Sequence, residues 1–407
     1  MTVASYYDPF DEAVLADPYP AYRRLRDDDP VHRHTAPPFW TLARFDDVWN
    51  AVRDPGTFSS AQGLTFLPDE IGKLGLAPTI VMQDPPQHGQ LRALVSKGFT
   101  PRRVTDLEAM IRTFARERIA AMEQQAADGV PVDLHRDFSS RIPTFVLAHL
   151  LGVPEHDRAR FGPWVSALTT LQDSGFDLAA LNAADAVTEM FGYFSEVITA
   201  RRANPGDDLI SALTAAEVAG ETLTDWDILG FCFVMVAGGN DTTGNLISHA
   251  VTLLDADHAQ RELLLRQPDL LPGALLEFLR LEGSVQGLAR TTLRPVVLHD
   301  VEIPAGEKVL MLFGAANRDD REFGPTVDRL DITRQFPRHL GFSSGPHFCV
   351  GSHLARLQAK VALEELLARH PDVGVDLDQA VRLRSPFTRG WVSLPVTGLA
   401  GPQGTVG

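Results

Sequence analysis

Apolar residues recur at helical spacing over long stretches of this chain. Positions three and four apart are hydrophobic through 105–124, 140–151, 184–203, 224–255, 273–282 and 352–369, and each stretch predicts a helix. Short runs rich in β-branched and aromatic residues at 39–42, 296–298, 308–313 and near 392–396 predict strands. The expected fold class is therefore mainly α with small β-sheets (α+β). Two glycine-interrupted stretches, 61–80 and 161–182, carry apolar side chains on coil: Leu64, Phe66, Leu67, Leu74 and Leu76 on the first, Phe161, Trp164, Leu168, Leu171 and Phe176 on the second. Such segments either cover an apolar pocket or tuck into the core.

Composition narrows this picture. At 44% hydrophobic and 22% charged, the chain is that of a globular protein and not of a disordered or disulfide-stapled one. Its net charge of −16 argues against nucleic acid as a partner, because phosphate neutralisation needs a basic surface. The N-terminal residues carry acids and no apolar signal-like core, and the most apolar run, 228–237, is far shorter than the ~20 residues of a membrane span. A cytoplasmic location without a membrane anchor is expected. The length alone suggests two or three domains of ~150 residues. No linker-like composition marks a boundary, however, and the candidate site residues spread from 88 to 349. One domain, 1–407, is expected.

Candidate chemistry begins with the cysteines, of which there are two, Cys232 and Cys349. Cys232 lies among large apolar residues and reads as a core thiol. Cys349 sits in the segment GFSSGPHFCVGSHLAR, on a glycine-rich loop just ahead of the helix at 352–369. Free N–H groups and the positive end of a helix dipole favour a thiolate there. Residue chemistry leaves three roles open: a buried structural thiol, a nucleophile activated by His347, or an axial ligand to haem iron.

Other segments carry unusual pairings. Thr224 and Asp227 form a capping pattern at the start of 224–255, yet Gly238 and Gly239 fall mid-helix at a cost of ~1 kcal/mol each relative to alanine. Asp241, Thr242 and Thr243 follow, and a threonine hydroxyl can loosen the helix ladder by bonding the carbonyl one turn back. Glu277 and Arg280 share a helix face amid leucines, which suits a buried ion pair. His88 and Arg92 likewise share a face.

Together these residues resemble a known family. Phe342, Gly345, His347, Cys349 and Gly351, in the order F-x-x-G-x-H-x-C-x-G, resemble the haem-binding signature of the cytochrome P450 superfamily, and similarity to its soluble actinobacterial-type members runs from DPYPAYRRLR to RGWVSLPV. The resemblance implies a single large prism-like fold with a long central helix over the haem. It makes Cys349 the thiolate ligand of haem b, in a loop with Phe342 and Gly351. His88, Arg92, Arg290 and His347 would hold the propionates. Asp241 and Thr242 match an acid–alcohol pair that relays protons when dioxygen, the co-substrate, is activated; Asn240 and Thr243 are less certain participants. Glu277 and Arg280 match a structural triad whose third member is placed at Arg329.

The implied reaction is hydroxylation or epoxidation of a hydrophobic small molecule by a monooxygenase. Electrons would come from a ferredoxin and an NAD(P)H-dependent ferredoxin reductase, docked on a basic patch of Lys97, Arg102, Arg103, Arg356 and Lys360. Rival readings are a haem-binding gas or redox sensor and a peroxide-driven relative. Pocket positions are expected at Leu64, Phe66, Phe176, Met235, Val285, Gln286, Leu288 and Phe387, with Gln286 the polar contact. One departure is Ser284, where the family commonly has proline, and a softened turn into the pocket wall is expected there.

Overall fold

A computed structural model of the chain describes residues 7–66, 79–165, 167, 183–218 and 220–399. The helices that frame the site are α1 (Gln87–Ser96), α2 (Glu108–Ala127), α3 (Arg141–Leu150), α4 (Ala183–Ala203), α5 (Asp225–Gly239), α6 (Asp241–Ala256), α7 (Leu271–Leu281) and α8 (Ser352–Arg369). Their apolar stripes meet in one core, to which Ile111, Val146, Ile228, Leu246, Leu275 and Leu363 contribute fully buried side chains. Across the α2–α8 contact, Arg112 reaches Glu365 at 2.6 Å and Glu364 at 2.8 Å.

To one side lies a sheet of β1 (Val31–Thr35), β2 (Pro38–Leu42), β3 (Phe58–Ser59), β4 (Leu288–Thr292) and β5 (Lys308–Met311), in the order β1–β2–β5–β4–β3. Only β2 and β5 run parallel. The polar sequences of β1 (VHRHT) and β4 (LARTT) conceal strands that exist by pairing with apolar neighbours. The run at 308–313 stops at Met311, and Phe313–Ala316 turns into helix. The run near 392–396 divides between Trp391–Ser393 and Val396–Thr397, which pair with different partners.

The expected helix over 224–255 is two helices. Thr224 caps α5 as its spacing predicts: its hydroxyl accepts from Asp227 N–H, while the Asp227 carboxylate accepts from Thr224 N–H. The ladder then ends at Gly239, Asn240 takes φ −91° and ψ −67°, and α6 restarts at Asp241. Weak propensity at the glycines and a competing hydroxyl from Thr242, bonded to the Gly238 carbonyl at 2.7 Å, break the helix instead of merely bending it.

Of the two stretches expected to cover a pocket, Phe161 and Trp164 are buried in the core, with ring centroids 6.1 and 5.8 Å from that of Phe194. The remaining candidates on these stretches, Leu67, Leu74, Leu76, Leu168, Leu171 and Phe176, lie outside the described residues. Among the described residues, no helix is long and apolar enough to cross a membrane.

A buried ion network fixes the approach to the cysteine loop. Glu277 and Arg280 have no exposed side-chain surface, and Arg280 donates to both carboxylate oxygens, at 2.7 and 2.8 Å. The third member is Arg334, whose Nε reaches Glu277 Oε1 at 3.2 Å. This corrects the assignment to Arg329, whose side chain is exposed and whose carbonyl merely accepts from Arg334. The turn-rich segment after Phe323 carries both arginines, and its path, not their spacing, decides which one turns inward. Arg280 also donates to the Asn317 carbonyl at 2.9 Å, and Asn317 Oδ1 accepts from the Leu340 N–H at 2.8 Å.

Replacing Glu277 with alanine leaves two guanidinium groups with no carboxylate in a dry site, which costs about 3–5 kcal/mol. Denaturant unfolding of the Glu277→Ala protein, if it folds at all, should show a loss of that size. Arg329→Ala should unfold close to the native midpoint.

Candidate active site

Between the α5–α6 break and the loop at 340–351 lies a cavity of about 440 Å³. Its walls are largely apolar. Leu64, Met235, Val285, Leu288 and Phe387 line it as expected. Two expected wall residues do not. Phe66 is buried in a side cluster, stacked on Phe39 with ring centroids 4.2 Å apart and packed against Phe387. Gln286 turns its amide away from the cavity and donates to the Gly283 carbonyl at 2.7 Å. Extended backbone sends neighbouring side chains to opposite faces, so with Val285 in the wall Gln286 must point behind it.

Cys349 opens into this cavity from the loop, where its N–H donates to the Phe342 carbonyl at 3.0 Å. Gly345 gives the loop its shape: its φ is +68°, and a Cβ there would stand 2.9 Å from the Val52 carbonyl oxygen. Burial pushes the Cys349 thiol up, against the opposing pull of the Gly351 N–H and of Arg92. Cys232 is fully buried in the core and shifted up by burial alone to any significant extent.

The four expected anion-binding residues come together. The rings of His88 and His347 stand 4.2 Å apart, and His347 Nε2 lies 3.1 Å from the Ser60 hydroxyl. Burial, then Arg290, His88 and Arg92, push His347 down to about 3. His88 is lowered by burial and by Arg92. Burial lowers Arg290 to about 10, and lowers Arg92 as well. Among the described residues neither Arg92 nor Arg290 has a carboxylate within 4.0 Å. Asp84 offsets Arg290 and His88 only from beyond contact distance, and two buried guanidinium groups that no carboxylate touches are expensive unless an anion joins them.

Across the cavity, Gly238 and Gly239 face open space, since a Cβ on either would meet nothing within 4 Å. Asp241 and Thr242 both line this wall. The Asp241 carboxylate accepts from Asn240 Nδ2 at 3.2 Å, and Asn240 Oδ1 accepts from the Thr144 hydroxyl at 2.6 Å. Thr144, Ser60 and Arg334 had no signal in the sequence, because each acts through a contact made only on folding.

Sequence relatives place this geometry. Cytochrome P450 130 of Mycobacterium tuberculosis is 45% identical over 389 residues, covering 93% of this chain and 94% of the relative. The chain belongs to the cytochrome P450 family. The family model, Cytochrome P450, matches residues 265–371, a span that includes α7 and α8. A vitamin D(3) 25-hydroxylase of Pseudonocardia autotrophica is 38% identical over 404 residues, covering 97% of each chain. Among solved structures, CYP109E1 of Bacillus megaterium in complex with testosterone superimposes with a TM-score of 0.82 at 31% identity, covering 94% of this chain and 99% of that one.

The protein is thus a cytochrome P450 monooxygenase, which uses dioxygen and carries haem b on a cysteine thiolate. The residues present fit that group. A thiol opens into the apolar cavity, and at the cavity edge two buried arginines stand with no carboxylate in contact.

Arg290→Met removes one unpaired buried cation. The haem-free protein should melt no lower than native, while haem binding, measured by transfer to apomyoglobin, should weaken by about tenfold or more. A lower melting point with unchanged haem affinity would contradict the reading of the cluster.

Proposed function

We propose that Cys349 would hold the haem iron through its thiolate, with Phe342 and Gly351 in the loop that supports it, and that His88, Arg92, Arg290 and His347 would hold the haem propionates. The observation that carries this reading is the convergence of those four residues, from remote parts of the chain, on the edge of the cavity that Cys349 opens into. Bound haem supplies dioxygen activation and insertion of one oxygen atom, with the thiolate donating electron density to the iron.

The chain's own residues then manage protons and placement. Thr242 Oγ1 exchanges its bond to the Gly238 carbonyl for one into the cavity, and Asp241, oriented by Asn240, resupplies the proton. The glycines opposite leave room for substrate. The apolar wall supports a hydrophobic small organic molecule that is hydroxylated or epoxidised. The named chemistry of the relatives, a vitamin D(3) hydroxylase and a testosterone complex, points the same way.

Electrons are supplied by a ferredoxin in the cytoplasm, reduced by an NAD(P)H-dependent reductase. In support, Arg102 and Arg356 have no carboxylate partner within 4.0 Å among the described residues and lie on helices that pack against each other. Arg103 and Lys360 are already paired, with Asp207 at 3.8 Å and Glu364 at 2.9 Å, so the basic patch is smaller than its sequence suggests. The side chain of Lys97 lies outside the described residues.

Replacing Cys349 with histidine should retain haem but abolish the red-shifted Soret band of the reduced CO complex. Survival of that band would refute the assignment of the ligand. In the Thr242→Ala protein, reducing equivalents should still be consumed but should leave mostly as peroxide or water, and unchanged yield of oxidised product per NADH would reject the proton role of this alcohol.

A further inference from the structure

Ser284 occupies the place where the family commonly has proline, and the turn it makes is not soft. It is buried, it lines the cavity, and its hydroxyl donates to the Thr242 carbonyl at 2.9 Å. Its own carbonyl accepts from Arg389 N–H at 2.7 Å, and Arg389 is in turn fixed to Glu282 at 2.9 Å. The donor thus stands on a rigid mount. Its acceptor does not: Thr242 belongs to the first turn of α6, which starts after the break without a side-chain cap. The N–H groups of such a first turn have no helical partner, so the turn is held less firmly than the helix interior.

Thr242 is consequently gripped from two sides. Its hydroxyl bonds back to Gly238 at the end of α5, and its carbonyl receives the Ser284 hydroxyl. The next residue after Ser284, Val285, is part of the pocket wall and pairs with Thr388.

We propose that Ser284 is a positioning residue for Thr242: its hydroxyl fixes the Thr242 peptide plane, and with it the direction in which the Thr242 alcohol faces the cavity. The bond ties the oxygen-side helix to the substrate wall, so displacement of Val285 by a ligand is transmitted to the alcohol. Proline has no donor to make this link, so it is a property of this chain's serine. The inference rests on the reading of Thr242 as the proton-delivering alcohol.

The test uses the haem-loaded protein with carbon monoxide as the probe. In Ser284→Ala the infrared C–O stretch of the reduced CO complex should shift or split. Amide exchange across residues 241–246 should rise about fivefold, the loss expected for one net hydrogen bond. Ser284→Thr, which keeps the hydroxyl, should restore both. Ser284→Cys, with a weak donor of similar size, reads the same link should the alanine variant fail to fold.

A native stretch and native exchange in the alanine or cysteine variant would overturn the proposal, as would failure of threonine to restore them. If Thr242→Ala moves the C–O stretch and Ser284→Ala does not, Thr242 faces the ligand without help from Ser284, and the proposal falls while the reading of Thr242 stands. Absence of the red-shifted Soret band in the native protein would instead strike the haem-thiolate reading.

Discussion

The carboxylate of Glu277, sealed from water with two guanidinium groups on it, is the fixed point from which the site hangs. A network of this kind gains little net stability, because desolvation cancels most of the attraction. What it supplies is position. Arg280 also donates to the Asn317 carbonyl, Asn317 holds the Leu340 N–H, and Leu340 begins the loop that presents Cys349. That loop has neither helix nor strand to define its path, and Gly345 gives it a backbone conformation that other residues resist. The sulfur is therefore placed by a chain of hydrogen bonds that starts more than seventy residues earlier in sequence.

Much of this arrangement is legible before folding, for identifiable reasons. Helical periodicity marks α3, α4, α7 and α8 to within a few residues, because each buries a stripe. The Cys349 loop and the Glu277–Arg280 pair are local patterns, and local patterns survive in a linear reading. Arg334 is not legible, since its selection over Arg329 depends on how an aperiodic segment turns. Gln286 and Phe66 show a different limit. Gln286 stands beside a true wall residue, and since extended backbone alternates its faces, without the register either parity looks equally good; Phe66 follows Leu64 and Thr65, both in the wall, on a bend whose path alone turns it aside. Ser284 illustrates the converse: recognised as a departure from a family pattern, it turns out to compensate with a bond that the pattern lacks.

The break between α5 and α6 gathers several of these threads. Glycines there are not required by crowding from the protein itself, because the volume above them is the cavity. Local helical stability is sacrificed for space, and the break is then held by added contacts: the Thr242 and Ser284 hydroxyls bond the Gly238 and Thr242 carbonyls, and the Asn240 and Thr144 side chains bond each other. Disorder at the break is avoided by these tethers, so an intrinsically weak segment keeps a defined shape.

The buried arginines around His347, with no carboxylate in contact, have a consequence for the life of the protein outside its chemistry. A chain whose buried positive groups await an anion is under electrostatic tension until that anion arrives, and binding to the folded state alone raises its stability by mass action. Cofactor supply then governs more than activity. In a cell short of haem, a larger fraction of these molecules opens and becomes available to proteases, so the abundance of the enzyme tracks the availability of its prosthetic group even where synthesis of the chain is constant.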